Sequence, residues 1–455
     1  MRSRPFVEVI VNSILLLTLS LAAADGQANW PGFLGGGGAM RVKVEAMPLK
    51  WSPTENIAWQ APLIGHGQSS PVVWNGQVFV TSVEGPMKDV CHVQAFRLTD
   101  GHVSWKHSFD SSDKVKDSNY VSRAAPTPVA DERGVFVFFE SGDVAALSHE
   151  GRELWRRSLS VDYGKFQNEF GLAASPVQTA EAIILLIDHE APSYLIGLSK
   201  ADGRTLWKTE RSGRRSWSSP ALVPVAGKQQ VVCSSTGSVD GYDPATGELL
   251  WSFNEVAGNT SATPLPFAEG RFLVGATQGR EAGDRAEGAK KSNLAAAIEI
   301  EAGKPTLKVL WRTEEATPSF GSPVVYRGQA YWVNRVGVIY CYDAETGEQR
   351  FVERTKQSCW ATPLGVGEYV YFFGKDGMTT VLKAGPKFEV VAENQLWDPA
   401  AVKPDLARIA REETEERRKA AATMSGPTQY GVAAVGESLL VRTGDVMYCL
   451  KKLGR

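Results

Sequence analysis

The side chains that could do chemistry fall at two kinds of place. His66, Gln68, Arg123, Arg215, Trp217, Asn259, Phe320 and Trp360 each stand shortly before a Ser/Thr-Pro pair. Asp188, His189, Glu190, Asn334, Arg335, Lys375, Asp376 and Asp445 stand in short polar turns. Arg123, Arg215, Arg335 and Lys375 suit an anion, because guanidinium and ammonium groups donate charge-assisted hydrogen bonds. Trp217, Trp360 and Phe320 suit stacking on a sugar or peptide, and equally suit plugging a channel. The run Asp188-His189-Glu190 has metal-ligand residue types, yet neighbours in an extended stretch point to opposite faces, so at most two of them can share a metal. His66 and His189 are single histidines, which are more often solvated loop residues than ligands. No Gly-rich phosphate loop, Ser-His-Asp order or H-E-x-x-H helix is present.

What positions these residues is a repeat. Gly241 to Trp251 reads GYDPATGELLW: a strand end, a polar turn and a strand closing on tryptophan. Asp243 is a residue type that accepts from the following backbone amides, and Gly247 supplies positive φ. The device recurs from Cys341 to Phe351 and, degraded, ahead of Trp105, Trp155, Trp207 and Trp311. Ser/Thr-Pro pairs open the copies at Pro71, Pro128, Pro176, Pro220, Pro264, Pro323 and Pro363, at intervals of 40 to 59 residues. Proline cannot donate to a sheet ladder, so each belongs at the start of an innermost strand. In the first copy, VVWNGQVF reads as a hairpin on an Asn-Gly turn.

A period of this size with strand–turn–strand copies predicts an all-β, eight-bladed β-propeller of four-stranded antiparallel blades. The last copy has three strands, while Asn56 to Leu63 is a spare tryptophan strand at the other end. Pairing the two closes the ring and completes the eighth blade. Trp105, Trp155, Trp207, Trp251 and Trp311 are then expected at equivalent outer-strand positions, largely buried between blades.

Residues 1–28 read as a signal peptide, with Arg2 and Arg4 ahead of an apolar run from Val9 to Ala24 that is short for a membrane span. The mature chain is therefore expected to be exported, without a transmembrane segment. Residues 29–55 read as a flexible Gly-rich linker, and 56–455 as the propeller. Gly279 to Asn293 is a polar insertion in the fifth blade, and Lys403 to Thr423 reads as one charged helix connecting the seventh and eighth blades. A net charge of −2 offers no basic surface for nucleic acid. The five cysteines show no disulfide framework; Cys341 and Cys449 share one repeat position and suit compact buried thiols.

The D-x-x-T-G-x-x-x-W unit opened by Ser/Thr-Pro resembles the repeat of the PQQ-like (quinoprotein alcohol dehydrogenase-like) β-propeller proteins, over about Asn29 to Lys452. The resemblance to the family's enzymes implies a vicinal Cys-Cys pair, a calcium held by Glu, Asn and Asp, and a catalytic aspartate. This chain has no Cys-Cys dipeptide. A PQQ-sized quinone also carries three carboxylates, and the oxygen donors Asp188, Glu190, Asn259 and Asn334 come from three blades. In size the chain is more similar to the non-enzymatic branch that scaffolds outer-membrane assembly, although no cysteine follows its apolar run for lipid modification. The reading is an exported, non-catalytic binding or scaffold propeller of the bacterial periplasm or cell envelope, with no PQQ or other cofactor and with an envelope protein or polymer as partner. The alternatives are a PQQ-dependent oxidoreductase and a carbohydrate- or cell-surface-polymer-binding protein.

Overall fold

A computed structural model describes residues 29–42, 44, 47–118, 121–167, 169–277, 284–313 and 315–454. The expected signal segment, residues 1–28, lies outside them. The described chain folds into eight antiparallel four-stranded sheets arranged as blades, as the repeat predicts. The inner strands open directly after the seven repeat prolines, at Val72, Val129, Val177, Ala221, Leu265, Val324 and Leu364, and the eighth opens at Gly431.

Closure is as the two incomplete ends require. Ile57–Pro62 pairs antiparallel with Val446–Leu450, with Trp59 opposite Cys449 and Ala61 opposite Met447. Inner and middle strands such as Gly134–Phe138, Asp143–Leu147 and Ala182–Ile187 are buried at every residue. Sandwiched between neighbouring blades, they have no solvent face and so carry apolar residues on both sides. Outer strands such as Glu153–Ser158 have only one packed face and alternate.

The repeat residues hold the blades together. In the Asp243 turn, Oδ1 accepts from the amides of Ala245 at 2.7 Å and Thr246 at 3.1 Å. Asp343 repeats this with Glu345 and Thr346. The tryptophan of one blade lies across the turn of the next and donates its indole N–H there: Trp59 to Leu98 O, Trp105 to His149 O, Trp155 to Lys200 O, Trp207 to Pro244 O and Trp311 to Ala344 O. Trp251 departs from this and donates to Gln230 Oε1 in its own blade, since the following blade has Glu301–Lys304 where the Asp-x-x-Thr-Gly turn would be. Expected burial is reached only in part. Trp251 and Trp311 are buried, whereas Trp105, Trp155 and Trp207 are half-buried, their rings covered by one turn and open at the rim.

The turn glycine under each ring is there for clearance as well as φ. At Gly247, φ is 73° and an added Cβ would lie 2.3 Å from Trp207 Cε3. Gly247→Ala is accordingly expected to lower stability by about 2–3 kcal/mol, combining a positive-φ penalty with displacement of the indole. A denaturant midpoint equal to that of the parent protein would mean that the turn yields without cost.

The Ser/Thr of each Ser/Thr-Pro pair forms a hydrogen-bonded belt around the axis. The backbone N–H of Ser70 donates to Thr127 Oγ1, Thr127 to Ser175, Ser175 to Ser219, Ser219 to Thr263, Thr263 to Ser322 and Ser322 to Thr362, all between 2.8 and 3.0 Å. The six hydroxyls from Thr127 to Thr362 thus each satisfy a buried amide of the preceding blade, a demand that a burial-driven sheet must meet.

Two expectations are corrected. The Gly-rich stretch is not a loose linker: Trp30 is fully buried and bridges Val73, Ala130 N–H donates to Pro31 O, and Gly365 N–H donates to Met40 O. Arg41–Val42 adds a parallel fifth strand to the seventh blade. Four glycines suit this path because three of them, Gly35, Gly37 and Gly38, take positive φ where the chain enters the channel. Second, residues 403–423 are not one helix. The segment carries helices at Leu406–Ile409 and Glu415–Met424, broken where the Asp405 and Thr414 side chains cap new starts. In the fifth-blade insertion, Asp284–Lys290 is helical.

The five cysteines are buried and unpaired, and burial raises the thiol of Cys341 to about 12 and of Cys449 to about 11. They behave as small core side chains.

Candidate functional site

Connections from an outer strand to the next inner strand, and those between the second and third strands, emerge on one face of the ring. All the residues singled out in the sequence lie there, but contacts divide them into groups with different work.

The first group is internal. Asp188 is buried and receives Arg211 Nε at 2.8 Å and Nη2 at 3.2 Å, while Arg211 Nη1 reaches Asp240 at 3.2 Å. His189 is fully buried against Phe166, its Nδ1 accepts from Gln167 N–H at 2.8 Å, and burial lowers its pKa, which keeps it neutral. Asn259 is consumed by the Gly237 amide, Ser234 Oγ and the carbonyls of Ser235 and Ser238. Trp217 donates to Gly171 O at 2.9 Å. Arg215 pairs with Glu190. The side chains of Asp188, Glu190 and Asn259 are thus engaged with other residues. Among the described residues no group of three or more His, Cys, Asp or Glu is placed to hold a metal ion.

The second group is a partly exposed aromatic and basic cluster at the fifth to seventh blades. Phe320 is 47% exposed and its ring lies 4.9 Å from that of Trp360. Lys375 Nζ stands 5.7 Å over the Trp360 ring. Arg335, exposed, is brought alongside by its backbone N–H on Ser319 Oγ, next to the exposed Val336. Phe320 and Val336 are thus large apolar side chains left in water beside Arg335 and Lys375.

The third group surrounds His66, Gln68 and Arg123. Gln68 and Arg123 hold one another through two backbone-anchored bonds, Gln68 N–H to Arg123 O and Arg123 N–H to Gln68 Oε1. The Arg123 side chain is buried. Over it lies the connector between the seventh and eighth blades, fastened by Arg408 to Asp117 at 2.8 and 3.1 Å, Lys116 to Glu413, Ser118 to Glu412 and Arg417 to Glu169. The connector therefore reaches loops near the second blade and covers part of this face. Apolar packing plays little part in this fastening, Leu406 being 71% exposed. Glu415 pairs with Lys419 at 2.9 Å within the second of the connector's helices, whereas Glu413 turns to Lys116.

Sequence reasoning missed Lys88, Asp117, Arg408, Arg411 and Arg442, which share this third region. The available signal was Arg442, a cation inside the apolar strand Ser438–Arg442, where charge without a role is rare.

A family model described as outer membrane protein assembly factor BamB matches residues 49–191, 167–299 and 295–425. The chain is 24% identical over 234 residues to outer membrane protein assembly factor BamB of Burkholderia pseudomallei (strain K96243), covering 49% of this chain and 53% of that protein, so it spans about half the length of the curated relative it matches. Among solved structures, BamB from Moraxella catarrhalis superposes with a TM-score of 0.55 at 12% identity, covering 87% of this chain and 99% of that one. Quinohemoprotein alcohol dehydrogenase from Comamonas testosteroni superposes with a TM-score of 0.59, also at 12% identity, covering 94% and 81%. Both likenesses are of fold, which hosts binding and redox proteins alike.

Proposed function

The chain belongs to the family described as outer membrane protein assembly factor BamB, and on that premise we propose that it is an exported, non-catalytic scaffold propeller of the bacterial cell envelope that holds a protein partner in outer-membrane assembly. The observation that carries this reading is the Phe320–Trp360 pair, with Phe320 exposed and Trp360 half-buried, beside exposed Arg335 and half-buried Lys375 on the rim. Aromatic anchors flanked by cations are the residue types that dominate protein interfaces. Rim loops fixed by neighbouring blades lose little freedom when a partner docks, which favours affinity. Export rests on the signal-like residues 2–24, and among the described residues no helix is long and apolar enough to cross a membrane.

A quinone site fits the residues poorly. Of the candidate cations, Arg215 is matched by Glu190. Asp188 and Asn259, the oxygen donors a calcium would need, are held by Arg211 and by backbone. No adjacent cysteine pair exists in the sequence.

The test is a photo-crosslinking residue at position 320 in the native envelope, with position 228 on the opposite face as control. Position 320 is expected to give an adduct with an outer-membrane assembly protein and position 228 none. Calorimetry of the purified protein with PQQ and calcium is expected to show no stoichiometric binding. Submicromolar, one-to-one PQQ binding with dye-linked alcohol oxidation would overturn the reading in favour of an oxidoreductase, and a glycan adduct at 320 in favour of polymer binding.

A further inference from the structure

Beneath the connector lies a cavity of about 200 Å³ lined by the cations Lys88, Arg123, Arg408 and Arg411, by His66, and by the carboxylates Glu84, Asp117 and Asp405. Its charges do not balance in the buried part. Lys88, 2% exposed, is matched by Glu140 at 3.0 Å. Arg123 is 3% exposed and the Arg408 side chain is largely buried, while Arg442, fully buried near His66, lies outside the lining with its guanidinium on Ser69 and Thr81. Against the guanidiniums of Arg123 and Arg408 stands one largely buried carboxylate, Asp117, bonded to Arg408, 4.0 Å from Arg123 Nε and 3.8 Å from Arg411 Nη1. Glu84 is mostly exposed and turns to His92, and Asp405 is exposed and caps a helix.

The donors are unmet as well as the charge. Arg123 Nε and Nη1, Arg408 Nε and His66 Nδ1 are buried without a hydrogen-bond partner. Buried guanidinium N–H groups in such number are costly unless paired, and a charged group is costlier still. Burial and the neighbouring Arg408 and Arg442 hold His66 well below its ordinary pKa, so the imidazole stays neutral and can offer Nδ1 as a donor tautomer.

We propose that this cavity binds one small oxyanion, phosphate or carboxylate, held by Arg123 with Arg408 and Arg411. A planar guanidinium presents parallel N–H donors that match two oxygens of such a group. Because Arg408 and Arg411 belong to the connector and Arg123 to the loop between the first and second blades, the anion bridges them and fastens the connector to the ring. An anion here needs no partner protein, so it can bind whether or not the rim patch captures one.

The test is calorimetric and thermal-melting titration of the full chain with inorganic phosphate and, separately, acetate, in a buffer free of other oxyanions. Saturable one-to-one binding of at least one in the submillimolar range is expected, together with a rise in melting temperature. Arg123→Gln should weaken it tenfold or more, and Arg123→Lys, which keeps the charge and loses the planar fork, should weaken it several-fold. Arg335→Gln, a cation of the rim patch, should leave it unchanged. Absence of saturable binding by the parent protein, or equal affinity in Arg123→Lys and Arg335→Gln, would overturn the proposal and leave the cavity to water.

Discussion

Replacing Trp311 by alanine is expected to lower stability by about 3–5 kcal/mol, the range for deleting a buried large aromatic. The ring is 9% exposed, meets Trp332 edge-on at 5.8 Å and stacks on Tyr342 at 6.2 Å. It also covers Gly347, where an added Cβ would come within 2.6 Å. Alanine therefore opens a cavity at a junction between two blades that the surrounding strands cannot close by moving. The indole hydrogen bond to Ala344 O is the smaller part: Trp311→Phe, which keeps a ring and strands that carbonyl, is expected to cost about 1–3 kcal/mol. Trp155→Ala should fall below Trp311→Ala, since the Trp155 ring is already half in water. Denaturant midpoints of the three variants check the order, and a Trp155 variant as damaged as the Trp311 variant would show that turn docking outweighs burial.

Arg442→Ala is expected to be as damaging, about 3–5 kcal/mol, for a different reason. The side chain is fully buried at the seam between the last and first blades. Its Nη1 donates to Ser69 O at 3.0 Å and to Ser69 Oγ, and Nη2 donates to Thr81 O. Gly67 has no Cβ because the guanidinium occupies that space. Alanine would leave these acceptors dry and unpaired, next to a void. Relief of the buried charge offsets some of this, which Arg442→Met isolates: volume is largely kept and the charge is gone, so a loss of about 1–3 kcal/mol is expected. The variants should also expose Ile57–Pro62 to protease sooner, because that strand has no other blade to join. An Arg442→Ala protein with the parent midpoint and parent proteolysis would mean that the backbone ladder alone closes the ring.

Much of the architecture is legible in the sequence. Each blade is a local hairpin series, and local order is written in residues a few positions apart: Asp243 with Gly247, Asn75 with Gly76, a proline before every inner strand but the last. Even the closure that sets Trp59 opposite Cys449, between strands at the two ends of the described chain, was readable because a repeat with a missing strand at one end and a spare strand at the other has one economical solution. The Ser/Thr of the Ser/Thr-Pro pairs was visible as a marker, but its role as a belt was not, since each hydroxyl serves the amide of the preceding blade.

The candidate residues fared differently. Their place on one face followed from the order of strands, and that much the sequence by itself determined, along with the propeller, the blade count and the buried thiols of Cys341 and Cys449. Only the tertiary structure decided which of them are occupied. Asp188 looks like a ligand until Arg211 is seen on it, and Arg123 looks like one cation in a ring until it is found buried beneath Arg408 and Arg411. The Gly-rich segment looks loose until the channel is there to receive Trp30. The physical reason is common to all three. Repeat periodicity encodes which backbone pairs with which, whereas the state of a charged or mobile side chain depends on partners supplied from distant blades and connectors, where no periodicity relates one sequence position to the other.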